Sequence, residues 1–520
     1  MPAIITDDFR RNQAKLLVND IKASADSNFD SPAGNSNEST WPFRGNNRYS
    51  IGLGKSDPWE DNSGGVSEGD SGFVVPTPQG TIQEDHDVIS NLSTLKDVPQ
   101  NGVKQLIAKN PWTSGRKYKV YDEADDDMFY TTGDLYPCAV TYNNKVYLCL
   151  SNTATPADFT SVAASTTFPA AANNYGISSS GDAQGYVWAH VADIDSNDPL
   201  TTNQFVPIND SPTVSDSEKQ RTGGLISHIG IVDGGSGYIN PPSVVITAVD
   251  YTGAVVNTGI SARSQISGGV VTRIDLVDAN QSPVTLGSDS YWDNLPSDHL
   301  DSPSDGSGRI KYVTVSFSGG GGGSGAKAYA TVAPVDGFAA NAINILPTWF
   351  VGINVDFENS ESDNDSAIVD FRQVSLLKNF DREADSGDTT PGVLDALKYV
   401  VLTSPNTSNI NNLSQGDVLT CGSSKFYFDY YDSSSNKLYY HQNSNADVNF
   451  INPPASTAVT EASNAIGTTD STGYNRPEYN AYDSPPSGSI TNGEVIFHEN
   501  RTPFTRGSSQ TEEVKIIIQL

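Results

Sequence analysis

The sequence predicts a mainly β protein with a few helices, β-rich α+β in class and multi-domain. A central sheet domain is closed by both chain ends and carries β-rich insertions. Three observations predict this. Only 36% of the 520 residues are hydrophobic, yet 23 Tyr and 19 Phe accompany 45 Gly, a mixture of strand formers and turn residues unlike a disordered chain. Period-two alternation recurs along the chain, whereas helical periodicity is confined to two stretches. The segments 493–504 and 510–520 are β-branched and apolar, where chain ends are usually loose and polar. Val514, Ile516, Ile518 and Leu520 share one face. A lone strand is unstable, so this one is expected to pair with a sheet built from earlier chain.

Taken in order, 6–25 is the best helix. Thr6 or Asp7 caps it, Asp7 and Asp8 suit its positive end, and Phe9, Leu16, Leu17 and Ile21 form its apolar stripe. The polar stretch 27–44 reads as a loop. Residues 47–54 alternate like a strand, which Pro58-Trp59 stops. A second helix is expected within 85–106 and a strand at 117–121. Residues 135–150 read as a hairpin turning at Asn143-Asn144, which sets Cys138 opposite Cys149. A strand at 185–194 places Tyr186, Trp188 and His190 on one face.

An internal repeat follows: 225–233 matches 270–278. In the first copy Gly234-Gly235-Ser236-Gly237-Tyr238 and Pro241-Pro242 mark turns. The second carries a polar insertion, 280–309, and the glycine run 319–323. The two copies are read as one small domain. Strands are expected at 349–357 and 368–379, then aromatic strands at 425–431 and 437–442 split by the turn 432–436. The domain plan is a discontinuous central domain (1–120, 340–394 and 485–520), a β-rich inserted domain at 121–222, the duplicated module at 223–335 and a β-rich insertion at 395–484.

Charge narrows the function. A balance of 31 Lys and Arg against 62 Asp and Glu gives −31, which repels nucleic-acid phosphates and anionic membrane surfaces. Three cysteines make no disulfide framework. Residues 1–25 lack the order of a signal peptide, and no apolar run reaches the ~20 residues of a membrane helix. These features point to folding in a reducing cytosol.

The search for chemistry returns loops and core residues. Gly52-Leu53-Gly54-Lys55-Ser56 is similar to a phosphate-binding loop, but Tyr49 stands where its first glycine belongs and Pro58-Trp59 follows where a helix should. Gly69-Asp70-Ser71-Gly72 is similar to a serine-protease nucleophile segment, yet no histidine precedes it. The acidic clusters Asp122-Glu123-Asp125-Asp126-Asp127, Asp193-Asp195-Asp198 and Glu361-Asp363-Asp365 lack the spacing of an EF-hand and read as solvated loop charge. The paired cysteines read as two packed thiols. The expectation is a non-enzyme: no catalytic residues, no cofactor-binding residues, no metal ligands.

Several stretches, in order, carry a resemblance. They are Ile4-Ile5-Thr6-Asp7-Asp8-Phe9-Arg10 with its helix, Tyr49 to Trp59, Val146 to Leu150, Gly185 to Trp188, Asp370 to Asn379, and the tail Gly493-Glu494-Val495-Ile496-Phe497-His498-Glu499-Asn500-Arg501-Thr502-Pro503 with Gln510 to Glu513. Together they resemble the baseplate wedge subunits, of the gene-product-eight type, of T-even-like contractile-tailed bacteriophages. The chain is longer than the family pattern, and the regions near 223–335 and 395–480 look like insertions. The resemblance implies a structural subunit that forms a homodimer, touches other baseplate wedge proteins and resides in the virion's tail baseplate after synthesis in the host bacterial cytoplasm. The alternative is a host-glycan-binding or glycan-degrading tail protein that uses the Gly-Ser-Gly-Tyr modules.

Overall fold

The computed structural model describes residues 6–24, 49–62, 65–123, 125–152, 164–169, 186–209, 226–250, 252–256, 261–277, 310–334, 337–340, 342–357, 370–378, 381–382, 394–395, 397–475, 479–480, 494–504 and 512–520. The expected loop at 27–44, the insertion 280–309 and the cluster at Glu361, Asp363 and Asp365 lie outside them. The fold is mainly β with few helices and several sheets.

A five-stranded sheet brings the two ends of the chain together. Its order is Leu394–Asp395, Leu92–Asp97, Tyr49–Gly54, Phe371–Lys378, Glu494–Phe504. Tyr49–Gly54 is central and every one of its residues is buried, so glycines stand where neighbouring strands crowd it. A Cβ on Gly54 would strike the backbone carbonyl of Asn91. The tail strand Glu512–Gln519 pairs as expected, at the edge of a second sheet ordered Glu512–Gln519, Phe350–Phe357, Val103–Ala108, Phe205–Pro207. Val514 and Ile516 face inward while Glu513 and Lys515 are exposed.

The chain divides into two compact units, 1–15 with 104–352 and 517–520, and 16–103 with 353–516. The expected module 223–335 falls in the first and the expected insertion 395–484 in the second. The first unit has an aromatic core around Tyr118, Tyr186, Trp188, Phe338 and Trp349. Its hairpin turns at Asn143 and Asn144, both at positive φ (48° and 56°), the backbone a two-residue turn requires. The register is the one the turn dictates: Ala139 pairs with Leu148 and Tyr142 with Lys145. Cys149 N–H donates to the Cys138 carbonyl at 2.9 Å, and both side chains are buried with no disulfide between them.

The duplicated module has a two-fold pattern of pairings. Ile226–Ser236 pairs with Ser324–Val332 as Val270–Val277 pairs with Ser261–Ser267, and the central strands Ser243–Asp250 and Ile310–Ser318 pair with each other. Exchanging the copies preserves these three pairings, while Ser243–Asp250 pairs in addition with Val255–Val256 and Ser261–Ser267. The glycine run has a packing reason: Tyr238 lies against it, and a Cβ on Gly320 or Gly323 would enter its ring.

The second unit holds a closed six-stranded barrel ordered Lys398–Leu402, Lys437–His441, Ser424–Asp432, Val418–Cys421, Ala458–Glu461, Asn464–Asn475. Its interior is filled by Val400, Leu419, Phe426, Leu438, Tyr440 and Val459.

Three expectations are corrected. In the first helix, Asp7–Ser24, the inward stripe is Ala14, Val18 and Ile21, while Phe9 and Leu16 are 53% and 47% exposed. Alanine allows close approach, so the narrow stripe wins over the larger side chains on the opposite face. The second helix is only Ile82–Ser90, and Leu92–Asp97 and Val103–Ala108 are strands. Thr81 and Glu84 form a capping box that starts it, and Asn91 ends it. The strand at 117–121 shrinks to Lys117–Tyr118. The strand expected at 185–194 is present as Tyr186–Asp193, and it is buried on both faces.

Candidate functional site

In the second unit the central strand ends abruptly. Lys55 adopts the left-handed conformation (φ 59°), and its N–H donates to the Asn91 carbonyl at 2.9 Å. This turn directs Ser56 and Asp57 at the barrel. Two barrel strands answer them. Tyr427 pairs with His441, Phe428 with Tyr440 and Tyr430 with Tyr439, so Asp429 is an extra residue in a bulge. A bulge re-aims the side chain it carries. Here it turns a carboxylate in an otherwise aromatic strand onto His441.

The result is a closed set of buried polar groups. His441 Nδ1–H donates to Asp429 Oδ2 at 2.8 Å, and Nε2–H donates to Asp57 Oδ1 at 3.1 Å. The Ser56 hydroxyl donates to Asp429 Oδ1 and lies 3.4 Å from His441 Nδ1. Lys55 Nζ binds Asp57 Oδ2 at 3.0 Å and sits 4.8 Å from the centre of the Trp59 ring. The Tyr427 ring stacks on His441 with centroids 5.2 Å apart.

A second ion pair braces the same segment. Arg372 Nε donates to the Glu68 carboxylate at 2.8 and 2.9 Å, and Arg372 Nη1 donates to the Ser56 carbonyl at 2.6 Å. Glu68 also accepts the Trp59 backbone N–H at 2.8 Å.

Burial by itself would lower the affinity of His441 for its proton. The carboxylates of Asp429 and Asp57, hydrogen-bonded to both ring nitrogens, outweigh it and hold the imidazole pKa up at about 9. Burial would raise the Asp57 pKa, but His441 and Lys55 together hold it below the usual carboxylate range. The signs follow directly. A raised histidine stabilises the fold fully below its unfolded value and loses that contribution as pH rises through 9. A depressed carboxylate stabilises above its unfolded value and loses it on acidification. Both contributions are therefore complete from about pH 4 to about pH 6.5.

This arrangement brings serine, histidine and aspartate together without making a nucleophile. A catalytic imidazole must be neutral on the side facing the serine. Here Nδ1–H is held by Asp429, and Ser56 gives its proton to that same carboxylate. Two anions face an imidazolium and an ammonium, which is the charge balance of a structural junction.

The other sequence candidates have local partners. Asp122 accepts the Tyr329 hydroxyl, Glu123 accepts Tyr121 OH at 3.0 Å, and Asp198 pairs with Lys104. Asp195 accepts the Asn197 N–H at 2.9 Å. Asp70 caps the turn at Ser67, and Gly69 and Gly72 take positive φ in an exposed loop. Among the described residues no group of three or more His, Cys, Asp and Glu is placed to hold a metal, and no helix is long and apolar enough to cross a membrane.

The residues that sequence reasoning passed over are Ser56, Asp57, Asp429, His441, Arg372 and Glu68. One signal was present: Asp429 interrupts the aromatic run Phe426 to Tyr431, and a charge inside a buried strand requires a partner. No protein-family model and no curated protein sequence matches this chain.

Proposed function

We propose that this protein is a structural subunit of the baseplate wedge of a contractile-tailed bacteriophage. It assembles with a second copy of itself and with other wedge subunits, and it transmits their rearrangement as the tail contracts. One observation carries the reading. Three stretches that bear the resemblance, 49–59, 370–379 and 493–503, are far apart in sequence but supply three adjacent strands of one sheet. Tyr49–Gly54 pairs with Phe371–Lys378, which pairs with Glu494–Phe504. A shared sequence pattern that converges on one structural frame is what a common building block would retain. The junction at His441 adds support, because its acid and base groups are consumed in holding the segment after the central strand to the barrel. A rigid body of this kind moves as a unit when neighbours rearrange.

The rival reading, a glycan-binding or glycan-degrading tail protein, relies on the Gly-Ser-Gly-Tyr module. The Tyr238 ring is 6% exposed and lies in the module's own core, so it offers no platform for a sugar.

The test is co-expression with candidate wedge proteins followed by native mass measurement. The expected result is a dimer that enters a larger complex, each specific interface burying more than ~1,000 Å². A chain that stays monomeric and joins no wedge complex overturns the proposal.

A further inference from the structure

The segment formed by residues 55–62 and 65–73 is fastened by charge and hydrogen bonds rather than by apolar burial. Its fastenings are the His441 junction, the Arg372–Glu68 pair and the bond from Trp59 Nε1 to the Arg501 carbonyl at 2.9 Å. Most of its residues beyond Pro58 are exposed or half-exposed. A segment held this way depends on the protonation of its anchors, because removing one buried charge leaves the opposing charges uncompensated.

We propose that His441 is a proton-controlled latch. While its ring carries a proton it clasps Asp57 to Asp429 and holds residues 55–59, the start of the segment, against the barrel. Loss of that proton frees residues 55–59 while the barrel stays folded. The geometry carries this. His441 has a carboxylate on each side, at 2.8 and 3.1 Å, and its side chain is 1% exposed. A neutral ring can donate from only one nitrogen. The other nitrogen would then face a carboxylate lone pair to lone pair, in a site closed to solvent on the scale of its 1% exposure.

The charged and titratable groups around the ring are Asp57 and Lys55 from the segment itself and Asp429 and Tyr427 from the neighbouring strand. Glu60 and Asp447 act on Tyr427 from further off. Asp57 and Asp429 favour the protonated ring, and Lys55 only partly offsets them. Apart from Asp429 and His441 themselves, the barrel interior is apolar and its strands close on themselves, so the barrel stays folded when the ring loses its proton.

Trp59 is the natural reporter, since it lies on the segment and touches Lys55, Glu68 and Arg501. The full chain labelled with 5-fluorotryptophan gives a fluorine resonance for each of its 6 tryptophans, and Trp59→Phe assigns the one required. The expected result is a reversible shift of the Trp59 resonance with its midpoint near pH 9, with far-ultraviolet circular dichroism unchanged across it. In His441→Gln, which carries no titratable proton, that transition is gone. In Asp429→Asn, which leaves the ring one carboxylate, the midpoint falls by about 1 to 3 pH units. Should His441→Gln fail to fold, Asp429→Asn decides alone. A Trp59 resonance that stays put to pH 10, a transition retained in His441→Gln, or an unmoved midpoint in Asp429→Asn each overturns the latch. None of these measurements depends on wedge assembly.

Discussion

Glu68 and Arg372 hide their charged ends almost completely, with side chains 8% and 7% exposed, so neither tolerates the loss of the other. Arg372→Met strands the Glu68 carboxylate and takes the donor from the Ser56 carbonyl. The expected cost is about 3–5 kcal/mol, read as a lower denaturant midpoint for the transition that includes the second unit. Adding Glu68→Gln removes the stranded charge and should recover part of that loss; a double variant as unstable as the single one would contradict the account. Glycine at position 54 has an equally specific reason. Its missing side chain makes room for the Asn91 carbonyl, which is backbone and cannot rotate away. Gly54→Ala should cost about 1–3 kcal/mol by overpacking, measured by thermal unfolding. At this scale the sequence was partly legible. The capping box of Thr81 and Glu84 was written in residues three apart, yet the expected helix at 85–106 began after it. Nothing nearby in sequence shows what Gly54 avoids.

Among elements, the hairpin Ala139–Tyr142 and Lys145–Asn152 was the most readable, because two residues at positive φ set both its turn and its register. The register has a chemical consequence. Cys138 and Cys149 are each fully buried, and burial pushes the Cys138 thiol far above its ordinary range. Cys421, in the barrel, is pushed up to about 11 by burial. A thiol reagent at neutral pH should therefore find no reactive cysteine in the native protein and all 3 after denaturation. Fast labelling of the folded chain would show that these cores open more readily than their packing implies. The first helix was harder to read. Its start followed from the cap at Thr6 or Asp7, and Ile21 is buried as expected, but Ala14 and Val18 were not foreseen, because Phe9 and Leu16 make a second apolar stripe on the opposite side. Which stripe turns inward depends on the shape of what it meets. The helix expected at 85–106 failed for a similar reason. The two apolar residues of Leu92–Asp97, Leu92 and Leu95, are three apart, a spacing that a helix also uses, and the edge of Tyr49–Gly54 captured this stretch as a strand.

Over the whole molecule, among the described residues, Lys55, Asp57, Arg372, Asp429 and His441 are buried around one segment of the second unit, while Lys119, Asp198, Asp250 and Glu512 are buried elsewhere. Position 441 lies 384 residues from position 57, and no local pattern connects them. Strand content, turn chemistry, the duplicated module and the class of the fold were determined by the sequence alone. Each rests on propensities and contacts between residues close along the chain, which alternation and turn residues report directly. The tertiary structure decided which strands became neighbours, which face of the first helix was buried, and that Ser56, Asp57, Asp429 and His441 form one site. Those outcomes come from long-range burial, where the gain from excluding water and pairing charge is shared among segments that the linear sequence keeps apart.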